Sequence, residues 1–189
     1  MRVYRKLLPF ETSRLEHHLL RLDDDDRAWR FSGGVGEAFI VSHCRRIDGL
    51  QAVVIGCFED GVLRGAAELW LDRSPAARAE LAVTVERAWQ DQGIGSDLLR
   101  RALVLARNRS ARSLCMLCLL DNRRMQHIAR KFEGSLSLLD GQAEADILVP
   151  YPTQGSLWEE AFADGLGLFG SLWDGFALQP PPREPAARL

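Results

Sequence analysis

Gly93 and Gly95 stand in the string Gln90-Asp91-Gln92-Gly93-Ile94-Gly95-Ser96, between an extended apolar run and a helical one. Backbone amides that converge at the start of a helix, reinforced by the helix dipole, favour an anion, so the loop is a phosphate cradle by position. A glycine pair before a helix can also be plain turn chemistry, and the spacing alone is weak. Two common phosphate loops are excluded. There is no Gly-Lys-Ser/Thr, and a dinucleotide fingerprint would need a third glycine near position 98 and an early βαβ unit.

Other reactive side chains are less telling. Cys115 and Cys118 have CxxC spacing, but they lie in the apolar run Leu114 to Leu120, which reads as a buried strand. Residues three apart on a strand face opposite ways, so the two thiols cannot share an ion. With Cys44 and Cys57 they read as core cysteines rather than a disulfide framework. His17, His18, His43 and His127 have no ligand spacing with cysteine or acidic partners, and no metal is expected. The aspartates 23 to 26 read as a solvated helix start favoured by the dipole.

These residues need elements to hold them. Leu15, Leu19 and Leu22 predict an amphipathic helix over 10–21, opened by Thr12 or Ser13. The aspartate run through Phe31 predicts a short second helix broken at Ser32-Gly33-Gly34, and Gly36 to Arg46 a third. Val53–Phe58, the turn Glu59-Asp60-Gly61 and Val62–Leu71 form a hairpin, extended by a third antiparallel strand, Arg78–Val85. After the glycine loop come a helix from Ser96 to Arg107 and an interior strand, Leu114–Leu120. A helix capped by Asp121 or Asn122 then runs to about Phe132. Leu136–Leu139, the turn Asp140-Gly141 and Ala143–Val149 make a last hairpin. The class is α+β around one mixed, mostly antiparallel sheet flanked by helices.

The chain has 189 residues, 47% of them apolar and 26% charged, which suits one domain. Residues 1–150 read as that domain, 151–179 as a helical extension, and 180–189, opening with Pro180-Pro181-Pro182, as a disordered tail. A net charge of −2 with dispersed basic residues argues against nucleic acid as a partner. No run reaches the ~18 apolar residues of a membrane span, and Met1 to Lys6 leads into a mixed segment rather than an apolar signal core. A soluble cytoplasmic protein with no membrane partner is the expectation.

Glu80 to Ser96, followed by Leu98-Leu99 and Ala106-Arg107, resembles the acetyl-CoA motif of GNAT N-acetyltransferases. Asn122-x-x-Met125, with Ile128 to Phe132 behind it, resembles the motif that follows the next strand in that family. Arg21-Leu22, the acidic run, Arg27, Arg30 and Phe31 resemble the GNAT domain of bacterial protein-lysine acetyltransferases. The resemblance spans 15 to about 149, and the order of these motifs is more specific than any one of them.

The resemblance implies the GNAT acyl-CoA N-acyltransferase fold and acetyl-CoA as acyl donor. It further implies that main-chain groups near Val83 and Val85 pair with the pantetheine arm. The amides from Gln92 to Ser96, in the loop that begins at Gln90, Asp91 and includes Gly93, Ile94 and Gly95, would hold the pyrophosphate. Asn122 would contact the arm, and Trp29, Arg30 and Phe31 lie where the family closes over its acceptor; core packing accounts for Trp29 and Phe31 equally well. Glu80 is the candidate base that frees the acceptor amine for attack on the thioester. The plain alternative is an edge glutamate paired with Arg78 or Arg64. Glu68 is a further candidate for the acceptor site, or a solvent-facing strand residue.

Two departures stand out. The tyrosine that many of these enzymes use to protonate the leaving thiolate is replaced by Ala129, and Tyr4 and Tyr151 are the only tyrosines. The glycine-phenylalanine after that helix is replaced by Phe132-Glu133-Gly134. The implied activity is acetyl transfer from acetyl-CoA to a primary amine, a small molecule or a protein lysine. The alternative is a non-catalytic acyl-CoA-binding module acting as sensor or interaction domain. Ser156 to Phe176 predicts a helix whose stripe of Trp158, Phe162 and Phe169 docks on the domain or on a second copy, leaving a homodimer open.

Overall fold

The computed structural model describes residues 1–47, 51–72, 78–139 and 142–177, without the side chains of 139, 142 and 168–177. Strand β1 is Arg2–Lys6, and helices α1 (Thr12–Arg21), α2 (Asp24–Phe31) and α3 (Glu37–Arg45) follow. Strands β2 (Ala52–Glu59), β3 (Val62–Leu71) and β4 (Arg78–Val85) lead to α4 (Ile94–Asn108) and β5 (Ser113–Leu119). Helix α5 (Arg123–Lys131), the strands β6 (Ser135–Leu139) and β7 (Gln142–Leu148), and α6 (Gln154–Ala177) complete the chain.

The strands form one sheet of order β1-β2-β3-β4-β5-β7-β6. Every pairing is antiparallel except the parallel contact of β4 with β5. Asp60 and Gly61 both take positive φ, as the tight turn between β2 and β3 requires. Alternation along β2 and β3 serves two cores. Ile55, Cys57, Ala67 and Leu69 pack with Leu98, Leu99 and Ala102 of α4, whereas Val54, Phe58 and Ala66 pack with Leu15 and Leu19 of α1 and Ile40 of α3.

Three expectations need correction. A fourth antiparallel strand, β1, pairs with β2 from Arg2↔Glu59 to Lys6↔Ile55. Its composition hides it, because Arg5 points inward: its guanidinium bonds both oxygens of buried Glu11 at 2.6 and 2.8 Å and lies 4.0 Å over the Phe58 ring. Helix α1 is preceded by a short 3-10 turn, Pro9–Glu11, and is capped at Glu11 rather than at Thr12 or Ser13. The expected turn at Asp140-Gly141 lies outside the described residues.

The third correction concerns α6, whose stripe was expected on the domain or on a second copy: the first of these alternatives does not hold. Its polar side docks: Lys6 Nζ reaches Glu160 at 2.5 Å and Asp164 at 2.7 Å, Arg109 reaches Glu160 at 3.0 Å, and Asn108 bonds Ser156 and Glu160. Trp158 and Phe162 are exposed, and the side chain of Phe169 lies outside the described residues. Lysine and arginine on β1 and α4 choose the acidic face, which overrides the apolar stripe. Among the described residues no helix is long and apolar enough to cross a membrane.

Candidate functional site

The ladder between β4 and β5 is three pairs long: Arg78↔Ser113, Ala79↔Leu114 and Glu80↔Cys115. From Leu81 to Val85, β4 keeps β3 on one side and, among the described residues, has no strand on the other. The free end of β4 is anchored from the α1 side. Buried His18 places Nε2 2.9 Å from the Thr84 hydroxyl and Nδ1 3.3 Å from Glu86. Arg21 and Arg64 also bond Glu86, at 2.8 and 2.7 Å. Burial would raise the Glu86 carboxyl, but hydrogen bonds from His18, Arg64 and Arg21 hold it down at about 2.

The fork opens on a cavity of about 530 Å³, within the range of ligand pockets. Its walls are Ala82–Val85 of β4, the loop from Trp89, the start of α4, the first turns of α5, and Asp26, Trp29 and Arg30 of α2. Of the residues expected to meet the cofactor, Val83, Val85, Gln90, Asp91, Gly93, Ile94, Gly95, Ser96 and Asn122 line it. Gln92 does not: its side-chain amide faces out, accepting from Arg2 at 2.7 Å and donating to the Ala88 carbonyl.

The loop geometry explains its glycines. Gly93 has φ of 82° at the N-cap of α4, where an L side chain is strained. A Cβ on Gly95 would sit 3.0 Å from Ile128 of α5, so that glycine permits the close approach of α4 and α5. Gln90 ties the walls together, donating to Asp26 and to the Val85 carbonyl, each at 2.9 Å, and accepting from Arg124 at 2.5 Å. Asn122 caps α5 by accepting from the Met125 amide at 3.1 Å.

Several cavity residues escaped the sequence reading. Arg123, Arg124 and His127 bring cationic or ring groups from α5 to the wall, and their spacing of three and four just after Asn122 was the available signal. Asp26 is the other. Asp23 is the N-cap of α2 and accepts from the Asp26 amide, and Asp24 and Asp25 are exposed. Asp26 instead turns inward to 8% exposure, and burial pushes its carboxyl above the ordinary value against the Gln90 hydrogen bond.

Glu80 is exposed, at the vertex of the fork, and is not part of the cavity wall. Its two expected partners are engaged elsewhere: Arg78 pairs with Glu144 and Asp146, and Arg64 with Glu86. Glu68 is buried at 1% exposure, outside the wall, rather than facing solvent. Arg30 meets its Oε1 at 2.9 Å and His43 its Oε2 at 2.6 Å. Burial opposes charge there, yet the Arg30 cation and the His43 hydrogen bond hold the Glu68 carboxyl below its ordinary range. Arg30 thus reaches the cavity with its charge matched from behind. Phe31 packs edge-on to Phe39 and His43 instead of lining the cavity.

Cys115 Sγ and the carboxylates of Glu144 and Asp146 lie within 4.8 Å of one another, which would suit a cation, but Arg78 already bonds both acids. All four cysteines are free and buried. Ala129 is fully buried in the main core.

Residues 12–134 match the model of the Acetyltransferase (GNAT) family. No curated protein matches the chain. Solved structures share the fold: the GNAT domain of S. lividans PAT at 19% identity, covering 77% of this chain and 89% of that one with a TM-score of 0.68. The ribosomal-protein-S18-alanine N-acetyltransferase of Escherichia coli follows at 14% identity, 82% and 97% coverage and a TM-score of 0.62. The yncA protein of Salmonella typhimurium, solved with its cofactor acetyl-CoA, has 17% identity, 81% and 96% coverage and a TM-score of 0.59.

Proposed function

This chain belongs to the GNAT acetyltransferase family, and we propose that it moves an acetyl group from acetyl-CoA to a primary amine by direct attack on the thioester. The observation that carries the reading is the fork between β4 and β5, with Glu80 at its vertex and the glycine loop at its far end.

The cavity fits the donor. Its volume suits part of an elongated ligand, Val83 and Val85 offer main-chain groups on a side of β4 without a strand, and the amides at the start of α4 suit a pyrophosphate. Arg123 and Arg124 add positive charge beside that end. When bound, acetyl-CoA supplies an activated acetyl thioester.

The chain's own residues then have the following roles. Glu80 accepts a proton from the acceptor ammonium, directly or through a water, because only the neutral amine is a nucleophile. Glu144 and Asp146, on the same side of the sheet as Cys115, outnumber Arg78 and favour a cationic acceptor over an anionic one. Arg30, locked by Glu68 and His43, fixes the α2 wall. With Ala129 where a phenol is usual, the departing thiolate takes its proton from water, a modest cost for a thiol of pKa near ~8.5. A protein lysine is one acceptor of this class, and a small primary amine is another.

Coenzyme A release measured over a panel of amines and lysine peptides, with Glu80→Gln alongside, tests the reading. Acetyl-CoA binding by calorimetry without release on any amine would instead support a binding module.

A further inference from the structure

Helix α6 is amphipathic the wrong way round for a helix that serves only its own domain. Its acidic side meets Lys6, Asn108 and Arg109. The opposite side carries Leu157, Trp158, Phe162 and Leu166 at 51, 65, 69 and 74% exposure. Spacing of four from Trp158 to Phe162 to Leu166 makes one continuous stripe, and the rings of Trp158 and Phe162 lie 6.2 Å apart. Large aromatic side chains bury ~150–250 Å² each, so the stripe presents about 500 Å² of apolar surface, the size of the largest patch on a monomer, which is often functional.

We propose that the stripe is covered by the same stripe of a second copy, two α6 helices packing antiparallel about a twofold axis. Two such faces bury about 1,000 Å² together, which reaches the lower bound for a specific interface. Self-complementarity is what a twofold contact demands of one patch. Exposed Ala161 and half-buried Gly165, where an added Cβ would meet nothing within 4 Å, are small residues that leave room beside Phe162 and Leu166 for the partner's rings. Glu160 and Asp164 do not oppose the pairing, since they are matched by their own domain's cations.

Rival occupants fit less well. A lipid surface calls for lysine and arginine beside the apolar face, whereas residues 154–177 hold four acidic residues and no basic one. The chain's own residues 178–189 offer two leucines among four prolines, too little apolar area to cover two aromatic rings.

Light scattering of the full chain at micromolar concentration should give twice the mass of one chain. The variant Trp158→Glu with Phe162→Glu should halve it while leaving the circular dichroism and the stabilisation by coenzyme A intact. Ala161→Cys, near the middle of the stripe, should give a covalent dimer on mild oxidation, against a background of buried cysteines. A monomeric wild-type chain overturns the proposal. So does a dimer whose mass the double substitution leaves unchanged, or a monomer that sediments with phosphatidylcholine–phosphatidylglycerol vesicles through these two side chains.

Discussion

Glu80 and Cys115 are the last residues to face each other across β4 and β5. One step further the strands part, and the cavity wall begins at Ala82. On the proposed function, the carboxylate stands where an acceptor entering from the open side would meet the end of the cleft. Glu80→Gln keeps volume and removes basicity, so turnover should fall ~10²- to 10⁴-fold, with acetyl-CoA affinity unchanged by calorimetry. The deficit should shrink at high pH, where solution supplies neutral amine. Near-normal turnover at neutral pH would remove Glu80 as the base.

Gly93→Glu and Gly95→Glu should abolish the thermal stabilisation that coenzyme A confers. Each adds negative charge at the anion end, and they add different steric faults: positive φ at Gly93, and contact with Ile128 at Gly95. Undiminished stabilisation in both would move the phosphate site elsewhere.

Glu68→Ala should destabilise the fold by about 3–5 kcal/mol, because it leaves Arg30 and His43 facing each other without their buried counter-charge. Urea denaturation reads this directly. A loss below ~1 kcal/mol would mean that water replaces the carboxylate.

Acid stability should depend on Glu86. Its carboxyl is held at about 2 against an ordinary 4.5, so its contribution is whole above the ordinary value and is lost as pH falls from there toward 2. Glu86→Gln should lower stability at neutral pH and flatten the fall across that acid window. Parallel stability curves for the two proteins would exclude this carboxyl as the source.

Removing residues 155–189 should lower the melting temperature, since it strips Lys6, Asn108 and Arg109 of Ser156, Glu160 and Asp164. Removal of 180–189 alone should not. Equal melting temperatures for the longer truncation and the full chain would argue that the docked face of α6 contributes nothing.

Periodicity and glycine placement made most of the fold legible: apolar runs either side of the Glu59-Asp60-Gly61 turn marked β2 and β3, alternation marked β4, and Gly93 with Gly95 marked the start of α4. What stayed hidden depends on pairs distant in sequence. Arg5 reads as a surface residue until Glu11 and Phe58 enclose it, and Asp26 reads as one of four solvated acids until Gln90, 64 residues on, turns it inward. The outward stripe of α6 was legible as a stripe, but its direction was decided by cations on β1 and α4.

The parting of β4 from β5 gives the molecule a sheet edge in its interior rather than at its rim. Exposed edges invite any extended chain to add itself, and this one is recessed, with residues of α2 and α5 lining the cavity beside it. An extended peptide of small side chains is the shape that could lodge along Leu81 to Val85 as a foreign strand. Such a peptide is a starting point for an inhibitor that competes by backbone pairing and carries no nucleotide at all.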